Sequence, residues 1–340
     1  MPFDDGLLDD EDALRGADHV LRELADSGAR VRRQSIAAAE SLAEATAQLS
    51  ESRPRAIVAA GPDSRLLRAV LEPVCPVPFV AWPNAGLPGW AGSLDLVVVL
   101  APEGTDPTTA RAVAEAVRRG CPLVVAAPAD SLVARHVPGR YSTLLPTVTD
   151  DPLATAIVML QLLDRVGLGP STDPDLVAAA LDEVAVACSP YRDLAVNPAK
   201  ILAGGIAETN PLLWGGTVLA ARAARRVAES IRRATGRASL AADAEHLLPV
   251  LRAARPADVF ADPFADEVED PRPSLILLDD GSAEAGVEET RAELVTTARE
   301  HGVRVETVTA TSGGDVARYA ALLATGTFAA EYLRVGFGHG

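Results

Sequence analysis

The sequence predicts an α/β protein built from two doubly wound parallel sheets, each an αβα sandwich, in pseudo-repeat. Three observations carry that expectation. Short apolar runs rich in Val, Leu and Ala alternate with longer stretches of helical periodicity, the pattern of parallel strands covered by helices on both faces. The 340 residues suffice for two domains of ordinary size, and 48% hydrophobic residues with a mean hydropathy of +0.15 exclude a disordered chain. A turn-rich stretch, Gly167-Leu168-Gly169-Pro170-Ser171-Thr172-Asp173-Pro174, falls at mid-chain. It divides the chain into residues 1–170, with a helical N-terminal extension, and residues 171–340.

In order along the chain, residues 7–25 and 33–50 read as amphipathic helices. Strands are expected at 56–60, 79–82, 94–100, 123–127 and 142–145, and a helix at 152–166 closes the first half. The strand ending at Leu100 leads through Ala101-Pro102-Glu103-Gly104-Thr105 into a helix with Asp106 as N-cap, Pro107 at the first helical position and Gly120 at its end. In the second half, helices at 175–187 and 198–206 precede a strand at 211–214. That strand runs through Gly215-Gly216-Thr217 into a helix reaching about Ala234. A strand at 275–278, a helix at 285–300 stopped by Gly302, and a strand at 303–309 lead to Gly313-Gly314-Asp315, which opens a helical C-terminal region. Residues 262–273, acidic and proline-rich, read as an exposed connection.

Charge bounds the partners. A net charge of -16 and a pI near 4.8 argue against a broad basic face for nucleic acid and favour a local anion site. The start, Met1-Pro2-Phe3-Asp4-Asp5-Gly6, has no signal-peptide pattern, and no apolar run approaches the ~18 to 20 residues of a membrane span, so a cytoplasmic location without membrane contact is expected. Cys75, Cys121 and Cys188 are widely spaced in apolar or proline-flanked settings and read as buried thiols; the five histidines show no ligand spacing, so no metal is expected. Gly215-Gly216-Thr217 lacks the third glycine of a dinucleotide turn, which argues against a nicotinamide site; no cofactor is expected.

The loop at 101–106 has the form of an anion-binding turn, because free N–H groups at the helix start attract phosphate. Glu103 and Asp106 stand in it, and both would repel one. Ser64, after the turn Ala60-Gly61-Pro62-Asp63, either donates to a ligand oxygen or caps a helix. Six arginines lie between 222 and 237, either a solvated helix face or an anion-binding rim. Among them Glu229 reads either as a general base or as one member of an ion-pair ladder with Arg226 and Arg233. His246 reads either as an acid/base group or as a helix-end residue.

The stretch Ala101-Pro102-Glu103-Gly104-Thr105-Asp106-Pro107-Thr108-Thr109 resembles the phosphate loop of the sugar isomerase (SIS) family, which reads roughly Ser-Tyr-Ser-Gly-Asn-Thr-Glu-Glu-Thr in the two-SIS phosphoglucose/phosphomannose isomerases. Gly104 and Thr109 match in place; both serines are replaced. Further similar stretches are Ala60 to Ser64, Asn197-Pro198-Ala199-Lys200-Ile201-Leu202-Ala203, Ser274 to Leu278 and Thr325 to Leu333, so the resemblance runs along nearly the whole chain. It implies two SIS domains, a homodimer, and aldose-ketose isomerisation of a sugar phosphate such as glucose or mannose 6-phosphate through an enediol. It also implies roles: Glu229 as base, His246 as ring-opening acid/base, and Ser64, Thr105, Thr108, Thr109 and Arg226 as ligand contacts. Strict alignment puts the family's base segment near 232–234, and a shift of one turn selects Glu229. The lost serines and Glu103 favour the alternative, a non-catalytic relative that binds a sugar phosphate or a protein as a regulatory or structural subunit.

Overall fold

A computed structural model describes residues 2–50, 53–254 and 271–338. The first nine residues of the expected connection at 262–273 lie outside the described residues, as does His339. The chain forms two compact units, one of residues 27–179 and one of residues 1–26 with 180–340. The boundary thus differs from the sequence expectation at the N-terminus. Helix α1 (Glu11–Ala25), preceded by a 3-10 turn at Asp5–Leu8, belongs with the C-terminal half.

The unit of residues 27–179 holds α2 (Ser27–Ala37), α3 (Ala39–Leu49), β1 (Ala56–Ala60), α4 (Ser64–Leu71), β2 (Phe79–Trp82), β3 (Asp95–Leu100), α5 (Pro107–Arg119), β4 (Leu123–Ala127), β5 (Ser142–Pro146) and α6 (Pro152–Arg165). Its five strands are all parallel in the order β2-β1-β3-β4-β5. Every residue of β1, β3 and β4 is buried, because helices cover both faces of the sheet. Helices α5 and α6 start alike, an aspartate N-cap followed by proline: Asp106-Pro107 and Asp151-Pro152.

The loop after β5 is held by Gln34 of α2, fully buried. Its amide nitrogen donates to the carbonyl of Pro146 at 2.8 Å, and its oxygen accepts from the N–H of Val148 at 2.8 Å. The side chain thereby substitutes for a strand neighbour. Gln34→Leu would strand both backbone groups, so a loss of about 2 kcal/mol is expected in urea unfolding of this unit; a change under about 0.5 kcal/mol would show that water replaces the amide.

In the other unit, α7 (Pro174–Ala187) leads in and is followed by α8 (Pro198–Ile206), β6 (Asn210–Gly215), α9 (Val218–Thr235), β7 (Leu240–Ala241), α10 (Ala244–Ala253), β8 (Pro273–Asp279), α11 (Ala285–Glu300), β9 (Arg304–Thr309) and α12 (Asp315–Gly336). Four parallel strands take the order β7-β6-β8-β9. The connections from β6 to β7 and from β7 to β8 step in opposite directions, so right-handed crossovers place α9 on one face and α10 on the other. Packing agrees: Leu212, Trp214, Leu275 and Leu277 form a core with Leu247 and Leu251 of α10 and Leu294 of α11. Helix α9 instead turns a stripe of Ala220, Ala223, Ala224, Val227 and Ile231 inward and packs along α12. At that contact Gly326 is required, because a Cβ there would collide with the side chain of Val227.

Lys200, on α8, explains why the N-terminus joins this unit. Its ammonium is fully buried and donates to Asp9 Oδ1 at 2.7 Å and to the carbonyls of Pro190 and Arg192 at 2.9 Å each. It also lies 5.5 Å from the centroid of the Tyr332 ring. All three ammonium protons have acceptors, and Tyr332 in turn donates its hydroxyl to the carbonyl of Cys188 at 2.6 Å. Burial pushes the Cys188 thiol up to about 12, which makes it an inert packing residue at neutral pH.

Candidate functional site

In a doubly wound sheet the ligand crevice lies beyond the carboxyl ends of the strands, where the strand order reverses. In the first sheet that point falls between β1 and β3, and the two loops flanking it are 60–64 and 101–106. They meet at Gly61, whose φ of +93° suits only glycine and whose absent Cβ would sit 3.2 Å from Thr109 Oγ1. Gly104, at φ +68°, has no room for a side chain against Ser131, and its carbonyl accepts from the N–H of Val133 at 3.0 Å. The second loop is thus pinned to the turn after β4.

The start of α5 is already occupied by an anion. Asp106 accepts from the N–H groups of Thr108 at 3.1 Å and Thr109 at 2.9 Å, and from the Thr109 hydroxyl at 2.6 Å. Burial alone would raise its pKa; the hydrogen bonds from Thr109 and Thr108 outweigh that and hold the carboxyl below the usual range, so it is charged at neutral pH. The carboxylate sits where a phosphate would on a free helix start. Thr109, expected as a ligand contact, is therefore buried and committed to Asp106. Thr108 gives its N–H to the same group, and Thr105 is exposed, its hydroxyl 3.5 Å from the exposed Glu103.

Ser64 is placed differently. It is 1% exposed at the first position of α4, and its Oγ has no hydrogen-bond partner. The helix cap is Asp63, so the capping role weighed for Ser64 does not apply. Among the described residues, seven buried side-chain atoms lack a partner, and four of them lie at the carboxyl edge of this sheet: Ser64 Oγ, Trp82 Nε1, Thr147 Oγ1 and Thr149 Oγ1. Trp82 ends β2, pairs with Ala60 in the register, and its carbonyl accepts from the N–H of Gly61 at 3.0 Å. Ser64 and Trp82 thus lie in and beside the loop after β1, next to the reversal point. Orphaned polar atoms are rare in native proteins, and a group of them at a crevice marks a place for a polar ligand.

The second sheet reverses between β6 and β8. There the N-cap hydroxyl of α9, Thr217, donates to Asp280 in the loop after β8, and Asp279 beside it is held by both nitrogens of Arg291 at 2.9 and 3.1 Å. Gly215 and Gly216 are packing glycines: a Cβ on the first would strike the Ala220 backbone, and on the second the side chain of Val287. Each half therefore fills its reversal-point helix start or cap with an aspartate of its own. Only Asp106 was visible in the sequence. Asp280 was missed, although Asp279-Asp280-Gly281 directly after an apolar strand is the signal that could have found it.

Glu229 and His246 are not brought together. Glu229, 38% exposed, pairs with Arg226 at 2.6 Å on α9. Both act electrostatically on Tyr319 of α12, whose hydroxyl pKa is raised first by burial. His246 lies on α10, on the opposite face of the sheet, 68% exposed and 3.4 Å from Glu245. Arg226 is likewise taken up by its ion pair with Glu229. The ladder reading of this stretch accounts for both residues.

Residues 195–338 match the family model described as the bacterial phospho-glucose isomerase C-terminal SIS domain. Solved structures share the fold over nearly the whole chain. Tagatose-6-phosphate ketose/aldose isomerase from Escherichia coli is 12% identical with a TM-score of 0.69, covering 94% of each chain. The C-terminal domain of glucosamine-fructose-6-phosphate aminotransferase from Francisella tularensis is 10% identical with a TM-score of 0.63, covering 94% of this chain and 96% of that one. A glucose-6-phosphate isomerase like protein from Thermus thermophilus is 19% identical with a TM-score of 0.51, covering 84% of this chain and 83% of that one. No curated protein matches the chain in sequence.

Proposed function

We propose, from the premise that this chain is a SIS-domain protein with a phosphoglucose isomerase-type C-terminal domain, that its first half binds a sugar ligand and that it does not isomerise it. The observation that carries the reading is the orphaned Ser64 hydroxyl, buried at the reversal point with the Trp82 indole nitrogen nearby. The family resemblance puts the ligand among sugars and their phosphates. Proton transfer between C1 and C2 needs a base within about 3 Å of those protons and a ring-opening group on the same substrate. The two candidates for those roles occupy opposite faces of the second sheet, and Glu229 is neutralised by Arg226. The chain then serves as a binding or regulatory subunit, a homodimer in the cytoplasm by the same resemblance.

Two assays test this. Purified protein is expected to give no conversion of fructose 6-phosphate to glucose or mannose 6-phosphate above background, and Glu229→Gln is expected to behave as the parent does. Measurable turnover that falls ~100-fold or more in Glu229→Gln would restore Glu229 as the base and sink the non-catalytic reading. Size-exclusion chromatography with light scattering tests the dimer.

A further inference from the structure

We infer that the crevice of the first half selects the unphosphorylated sugar over its phosphate ester. This rests on the reading of that crevice as a sugar site and narrows it to an uncharged hexose or polyol. The two flanking loops, 60–64 and 101–106, carry three charged residues, Asp63, Glu103 and Asp106, and all are acidic. At the α5 start the N–H groups of Thr108 and Thr109 and the Thr109 hydroxyl bind the Asp106 carboxylate. A phosphate arriving there meets a resident anion in place of free donors, with Glu103 exposed on the same loop. Like charges across a few ångströms at a partly buried site oppose binding strongly.

What the crevice has to offer suits a hydroxylated ligand instead. The Ser64 hydroxyl both donates and accepts, and the Trp82 indole N–H donates; both polar atoms are buried and unpartnered. Carboxylates are good acceptors for sugar hydroxyls, so the acids that repel a phosphate favour a polyol. An aromatic beside polar groups also fits the alternation of apolar faces and hydroxyls on a pyranose ring. The residues that depart from the family pattern, at Glu103 and Asp106, change the charge the site accepts while leaving a hydroxyl at Ser64.

Calorimetry on the full chain tests this with glucose, mannose and fructose against their 6-phosphates, at fixed ionic strength. At least one parent sugar is expected to bind tenfold or more tighter than its 6-phosphate. Glu103→Ser, which leaves the α5 cap intact, is expected to narrow that gap by improving the phosphate's affinity, and Ser64→Ala to weaken the parent sugar with an unchanged circular dichroism spectrum. A 6-phosphate that binds as tightly as its parent sugar or tighter overturns the inference and leaves the sugar site standing. Absence of binding by every sugar and every phosphate overturns the site itself, and this inference with it.

Discussion

Lys200→Met is expected to destabilise the unit of residues 1–26 and 180–340 by about 3 kcal/mol, the low end of the cost of breaking a buried ion pair. Methionine fills the space but leaves the carbonyls of Pro190 and Arg192 and the Asp9 carboxylate without their donor. Asp9 is partly exposed and can turn to water, which keeps the loss from being larger. A drop in Tm of roughly 6 to 12 °C follows for a unit of this size. The pH dependence gives a second check. The hydrogen bond from Lys200 is the main cause that lowers the Asp9 pKa. A carboxyl depressed in the folded state contributes stability that is present above its unfolded pKa, about pH 4, and is lost as pH falls through the lower folded value. The difference between parent and Lys200→Met should therefore be full at neutral pH and shrink below about pH 4. A gap independent of pH would mean that the two carbonyls, rather than Asp9, carry the effect.

Gly215→Ala should cost a similar amount, about 3 kcal/mol, at the upper end for overpacking. The added methyl meets the carbonyl carbon and oxygen of Ala220, which is backbone in the first turn of α9 and cannot rotate away. Relief requires α9 to lift from β6, which also separates Thr217 from Asp280 and loosens the Ala-rich seam between α9 and the sheet. Chemical denaturation should show the loss. A variant within about 0.5 kcal/mol of the parent would mean that the helix start shifts freely and that the close approach is incidental.

Where local chemistry decides structure, the sequence was readable. β1, β2 and β4 occupy the residues expected, since each is a short apolar run closed by turn residues and set between helices. Helix α8 likewise begins where Asn197-Pro198 announces it, with the Asn197 side chain accepting from the N–H groups of Ala199 and Lys200. β7 escaped notice because two residues are too few to show a period. The placement of α1 with the distant half depends on Asp9 reaching a lysine 191 residues away, and no local pattern encodes that. The site was half legible for the same reason. Asp106 follows a strand, precedes a proline and caps the helix as such spacing requires. By contrast, the separation of Glu229 from His246 comes from the direction in which the chain crosses the sheet, which a linear spacing cannot reveal.

A helix start that carries its own counter-charge has consequences for how ligand binding couples to folding. In a site whose loop is held by an external anion, the empty protein is less ordered, and saturation raises stability by RT ln(1 + [L]/Kd), part of the binding energy going into assembling the loop. Here Asp106 supplies that order from within the covalent chain, at an effective concentration no dissolved anion reaches. The loop after β3 is then assembled before any ligand arrives, and the chain has exchanged a dependence on a metabolite's charge for permanence of shape.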